Sequence, residues 1–244
     1  MKPRVFVGTM HAGERDFERC CEMVRAQADV TVTHYIISGL PERAAHEKLF
    51  STWNDEKDKH DLFVKVDADT VLIDETLVSR VYEEFSKNEK VTGLQAPLHD
   101  FFTDRFINGL NAFSPRVVFS MPKSELYCDR VDSNHSEEVK GSRVPESLKP
   151  AGLHCFYADE KQAFHFGLHR ALKMQHDVIQ NVRAVWLRER DVIRAFALLG
   201  ALQSHAFVGK LHVKFNYGDE EFERAFEQAR LHLDDFQNTI EVGS

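Results

Sequence analysis

The 244-residue chain has no apolar run approaching the ~20 residues that a membrane-spanning helix needs. The nearest stretch, Val192 to Leu202, is shorter and carries Arg194. Cysteine is scarce. Cys20, Cys21, Cys128 and Cys155 form no CxxC pair, which excludes a disulfide framework and a zinc-ribbon cage and fits a reducing cytosol. Positive charge is also short: the net charge of −8 argues against a general nucleic-acid binder but leaves room for a local basic phosphate pocket. Repeats and low-complexity tracts are missing. Met1-Lys2-Pro3-Arg4 runs directly into a strand pattern without a signal-peptide apolar core, so the expectation is a cytoplasmic protein. What remains is an ordinary globular composition, enough for one large domain or two small ones.

The first hundred residues alternate strand and helix. Arg4–Gly8 reads as a buried strand, and Glu14–Ala28 as a helix with Phe17, Cys20, Cys21, Val24 and Ala28 in helical spacing. Val30–Ser38 is a second strand, rich in Val, Thr, Tyr and Ile. Gly39 and Pro41 end it and open a helix marked by Ala45, Leu49 and Trp53. After the charged stretch Asn54–Asp61 comes the apolar run Leu62-Phe63-Val64-Lys65-Val66, then Asp67-Ala68-Asp69. Asp74–Lys87 is a third helix and Val91–Leu98 another strand. This order predicts a parallel α/β sheet whose ligand edge lies at the carboxyl ends of the strands. The loop from Thr9, the Ser38-Gly39 turn and the Asp pair all fall there.

Asp100–Gly152 is less regular. Asn108-Gly109, Ser114-Pro115, Met121-Pro122, Gly141 and Pro145 are turn signals, short strands are expected at 116–120 and 125–131, and Asp132–Pro150 reads as a polar loop. The last third is helical, with segments from Asp159 or Glu160 through Leu172, over Asp191–His205, and over Asp219–Leu233.

The Asp pair carries the chemistry. Residues two apart on a strand point to the same side, and two carboxylates there suit a hard divalent cation. Two families place Asp-x-Asp at a strand end. The haloacid-dehalogenase-like phosphatases use the first Asp as nucleophile and the second as general acid, and Asp67, Asp69 and Val71 match that motif. Against it, the motif follows the third strand rather than the first. The only Gly-Asp candidate for a later acidic pair, Gly218-Asp219, begins an amphipathic helix, and no threonine or serine strand motif follows.

The chain more closely resembles the GT-A glycosyltransferases, in particular bacterial members of the glycosyltransferase 2-like group. The resemblance covers roughly residues 4–175 and rests on Val5-Phe6-Val7-Gly8-Thr9, Tyr35-Ile36-Ile37-Ser38, the helix before Asp67-Ala68-Asp69, and Ala151-Gly152-Leu153-His154-Cys155 with the helix after it. It implies a Rossmann-like, mostly parallel central sheet flanked by helices. Residues 1–175 would form the nucleotide-sugar-binding catalytic domain, and 176–244 a helical C-terminal extension. It implies transfer of a sugar from a UDP- or GDP-sugar to a hydroxyl on a glycan or lipid-linked acceptor, in bacterial surface-polysaccharide or glycoconjugate synthesis. Asp69 matches the position that binds Mn2+ or Mg2+ directly, Asp67 the position that contacts ribose or metal, and His154 a late metal ligand. Thr9, Ser38 and Gly39 match the region around the base. Lys65, which interrupts the apolar strand, could meet phosphate.

An inverting enzyme also needs a base for the acceptor hydroxyl. Asp129 and Asp132 are the candidates, and Asp132, nearer the loop, is preferred. The apolar late helices permit a homodimer, and the chain could sit peripherally at an inner membrane. A non-catalytic nucleotide-sugar-binding protein is a third reading of the same residues.

Overall fold

A computed structural model describes residues 1–124, 127–210 and 219–239. The chain divides into two units, Met1–Phe101 with Arg105–Phe156, and Phe102–Asp104 with Tyr157–Ser244.

In the first unit, strand side chains alternate between two hydrophobic clusters, and this sorts the helices. The strands β1 (Arg4–His11), β2 (Thr31–Ser38) and β3 (Leu62–Lys65) are mutually parallel, with β1 in the middle. Val5, Val7, Leu62 and Val64 join Cys20 and Val24 of helix α1 (Phe17–Arg25) and Leu77, Val78 and Val81 of α3 (Leu77–Lys87) in one cluster. Phe6 and Phe63 face the other way, against Ala45, Leu49, Phe50 and Trp53 of α2 (Glu42–Glu56). This is the period-2 pattern of a sheet covered on both faces. Each fully buried Leu or Phe contributes roughly 1.5–3 kcal/mol.

Beyond β3 the sheet is mixed. The remaining strands are β4 (Thr70–Leu72), β5 (Val91–Asp100), β6 (Arg105–Phe113), β7 (Glu137–Lys140) and β8 (Gly152–His154). The order is β2-β1-β3-β6-β5-β8-β4, with β7 paired to β5. β6 runs antiparallel to both β3 and β5, whereas β8 is parallel to β5 and antiparallel to β4. An α/β architecture with a central sheet flanked by helices is what the alternating pattern leads one to expect.

The irregular middle is more ordered than its turn signals imply. Asn108-Gly109 lies inside β6, where the pairing with β5 shifts register at Ala96/Pro97. The expected strand at 116–120 is reduced to one bridge, Phe119 with Ser133. Of the expected strand at 125–131, residues 127–130 form a turn closed by Arg130 N donating to Tyr127 O at 3.0 Å, and residues 125–126 lie outside the described residues. The polar loop 132–150 contains β7 and two short 3-10 turns, Gly141–Arg143 and Glu146–Leu148.

The second unit contains helices α4 (Glu160–Leu172), α5 (His176–Glu189), α6 (Val192–Gln203), α7 (Glu220–Leu231) and α8 (Leu233–Thr239). Asp159 and Asp191 cap α4 and α6, accepting from Gln162 N and Arg194 N at 2.8 Å each. α4 and α6 meet through glycine. A Cβ on Gly167 would strike the backbone of Ala197, and one on Gly200 the backbone of Phe164. The buried Arg194 is satisfied by Asp191 at 2.8 Å and Phe102 O at 3.1 Å. Asp219 stands just ahead of α7 as its N-cap residue, while Gly218 lies outside the described residues.

Candidate functional site

The strand carrying the two acids ends sooner than its apolar run implies. β3 stops at Lys65, and the chain then turns, with Thr70 N donating to Asp67 O at 2.9 Å. Asp67 and Asp69 therefore sit in a turn, and strand alternation does not hold them on one side. Their carboxylates part company. Asp67 is half-exposed and pairs with the Lys65 ammonium. Asp69 is directed inward to His154 and Cys155.

Register explains that inward cluster. β8 lies between β5 and β4, pairing Asp100 with His154 on one side and Thr70 with His154 on the other. The ends of three strands thus bring Asp100, His154 and Asp69 together. His154 Nδ1 lies 2.7 Å from Asp100 Oδ1, and its Nε2 lies 3.4 Å from Asp69 Oδ2. Cys155 Sγ lies 3.4 Å from the same oxygen, and Cys155 N donates to Asp69 O at 2.8 Å. Asp69 Oδ1 is buried and makes no hydrogen bond among the described residues. Asp69, His154 and Cys155 each offer a ligand atom within 4.8 Å of the others.

The electrostatics are strongly polarised. Burial would raise the pKa of Asp69, but His154, Cys155 and Lys65 together hold it well below the usual carboxylate range. Burial would lower that of His154, yet Cys155, Asp69 and Asp100 raise it well above its ordinary value. Burial and the Asp69 charge push the Cys155 thiol up. Lys65 is raised against its burial by Asp67, with Asp129 and Asp69 adding to the effect. Glu14, in the loop after β1, accepts from Ala12 N at 2.7 Å. Its carboxyl is pushed up to about 7, first by burial and then by the charge of Asp69.

A divalent cation fits this pocket on two grounds. The buried Asp69 Oδ1 lacks a hydrogen-bond partner among the described residues, which normally costs stability. His154 also has the orientation of a metal-binding histidine, with a carboxylate on its far nitrogen. The Asp69 carboxylate suits Mn2+ or Mg2+, and the imidazole is better tolerated by Mn2+ than by the oxygen-preferring Mg2+.

The other sequence candidates are placed as follows. Thr9 is buried in β1, its hydroxyl 2.9 Å from His34 Nε2. Ser38 is the exposed last residue of β2, and Gly39 follows it in an exposed bend at φ +72° in open space. Asp132 pairs with Lys123 at the surface, both side chains more than three-quarters exposed. Asp129 is the loop acid whose charge reaches Lys65. Asp100, Cys155 and Glu14 are neighbours that sequence reading missed. Cys155 follows His154 directly and Asp100 closes a strand, so position at a strand end is the signal that could have found them.

No protein-family model matches the chain, and no curated protein matches it. Among solved structures, "Crystal Structure of A197 from STIV" is 14% identical with a TM-score of 0.35, covering 46% of this chain and 64% of that one, so the match spans less than two thirds of its length. "Mannosyltransferase PcManGT from Pyrobaculum calidifontis in complex with GDP-Man and Mn2+" is 12% identical with a TM-score of 0.43, covering 98% of this chain and 83% of that one.

Proposed function

We infer that the chain is a metal-dependent glycosyltransferase that moves a sugar from a UDP- or GDP-sugar to a hydroxyl acceptor. The observation that carries this reading is the Asp69 carboxylate, whose inner oxygen makes no hydrogen bond among the described residues, beside a histidine braced by Asp100. Asp69 and His154 would hold Mn2+ or Mg2+. When bound, the cation takes up negative charge on the leaving nucleoside diphosphate. Asp100 keeps the His154 ring in place and fixes which nitrogen faces Asp69. Asp67 contacts ribose or metal, and its Lys65 partner supplies a cation beside the phosphates. The Ser38-Gly39 turn and the Thr9 strand border the nucleoside.

For an inverting reaction the acceptor hydroxyl needs a base. Asp129 and Asp132 both remain in that role, and the reach of Asp129 to Lys65 favours it over the surface-paired Asp132. The acceptor is a glycan or lipid-linked sugar. A place in bacterial surface-polysaccharide or glycoconjugate synthesis, in the cytoplasm or at the inner face of the membrane, completes the reading.

The test is nucleotide binding followed by thermal unfolding, with and without Mn2+. UDP or GDP should stabilise the protein only with the cation, and Asp69→Asn should abolish the effect. Stabilisation independent of metal, or phosphatase turnover lost in Asp67→Asn, would overturn the proposal. Metal-dependent binding with neither sugar transfer nor donor hydrolysis would leave a non-catalytic nucleotide-sugar-binding protein.

A further inference from the structure

The loop after β6 is strapped along α2. Trp53 Nε1 donates to Val117 O at 2.9 Å. Asn54 donates to Phe119 O at 2.8 Å and accepts from Phe119 N at 3.0 Å. The rings of Phe50 and Phe119 lie 4.6 Å apart. These contacts fix the first limb of the loop on the carboxyl half of the helix. At the amino end Glu42 and His46, four apart, share one face, and the returning limb brings Cys128 to them. Their ligand atoms all lie within 4.8 Å of one another.

The trio offers the same donor types as the Asp69 pocket, but its histidine is braced by a backbone carbonyl rather than by a carboxylate. His46 Nδ1 lies 2.9 Å from the carbonyl oxygen of Glu42. A carbonyl can only accept, so Nδ1 carries the hydrogen and Nε2 presents its lone pair. His46 is 2% exposed and Cys128 0%. A reactive cysteine needs access, which burial denies Cys128, so a Cys-His nucleophile is the weaker reading. A thiol, an imidazole and a carboxylate from a helix and a returning loop form the donor set of a borderline cation.

We propose that Glu42, His46 and Cys128 form a second cation site, for a divalent ion of the zinc type, which clips the loop after β6 to the start of α2. Binding breaks the Cys128 S–H bond, the proton leaves to solvent, and the sulfur lone pair forms the metal–sulfur bond. The thiolate and the Glu42 carboxylate would then offset the charge of the ion. The site is independent of the glycosyltransferase reading. It has one consequence for it: Asp129 follows Cys128 in the chain, so the clip also sets the position of that acid.

Cobalt(II) titration of the chelator-stripped full chain tests the proposal. Thiolate-to-cobalt absorption should appear in the wild type, fall by one equivalent in Cys128→Ser, and persist in Cys155→Ser. Zinc should displace the cobalt and raise the Tm of the wild type by more than that of Cys128→Ser. Should Cys128→Ser fail to fold, His46→Gln keeps the thiol and should weaken the metal at least about tenfold, the lower end of what losing even an outer partner costs. No thiolate band in the wild type, a band undiminished in Cys128→Ser, loss of the band in Cys155→Ser, or unchanged affinity in His46→Gln would each overturn it.

Discussion

At the residue scale the two oxygens of Asp69 are in different situations. Oδ2 is shared by His154 and Cys155, whereas Oδ1 is buried without a hydrogen bond among the described residues. A bound cation would relieve that cost, and Asp100 would act on the cation only through His154. Asp100→Asn should therefore weaken Mn2+ affinity about 10–100-fold while leaving nucleotide specificity unchanged. Isothermal titration of Mn2+ checks this, and equal affinities would remove Asp100 from the account. Glu14 gives a pH prediction. Its carboxyl is raised from 4.5 to about 7 in the folded chain, so the folded state holds its proton more tightly than the unfolded state. The stability it contributes is fully present below about pH 4.5 and is lost as pH rises through about 7. Denaturant unfolding of the metal-free protein should show that loss in the wild type, and Glu14→Gln should remove it. The same slope in both proteins would contradict the assignment.

At the element scale the sequence was legible where periodicity is strong. Continuous apolar runs mark β1 and β3 as strands buried on both faces, and helical spacing marks α1, α2 and α3. The turn at 66–69 was not legible. Alternation continues on paper through Val66, Asp67 and Asp69, and only the Thr70–Asp67 hydrogen bond reveals that the strand has ended. β6 was hidden for another reason. Its first residues, Arg105 and Phe106, are exposed, Asn108-Gly109 reads as a turn, and its stability comes from pairing with β3 and β5 rather than from its own pattern. The site followed suit. Asp69 and His154 were sequence candidates that the fold brings within 3.4 Å of each other, but Asp100 depends on β8 inserting beside β5, which no local pattern encodes. Two predictions belong to the second unit. Asp159→Ala removes the cap of α4 and should cost about 1 kcal/mol. Gly167→Ala drives a Cβ into the Ala197 backbone and should cost about 1–3 kcal/mol. Chemical denaturation measures both, and a neutral Gly167→Ala would mean that α4 and α6 do not meet there.

At the scale of the whole molecule, a mixed sheet collects its ionisable groups at the ends of three strands. β5, β8 and the turn before β4 deliver Asp100, His154 and Asp69 to one point. The Lys65–Asp67 pair stands at the end of β3. Composition and element order were enough to read the α/β class, because buried strands alternating with amphipathic helices have few other ways to pack. The central claim is that this convergence binds a divalent cation together with a nucleoside diphosphate. Electron paramagnetic resonance of free Mn2+, titrated with protein in the presence of GDP or UDP, tests it most directly. The account predicts one bound Mn2+ per chain in the wild type and in Cys128→Ser, and none in Asp69→Asn. Equal Mn2+ binding by wild type and Asp69→Asn, or no binding by either, would contradict it.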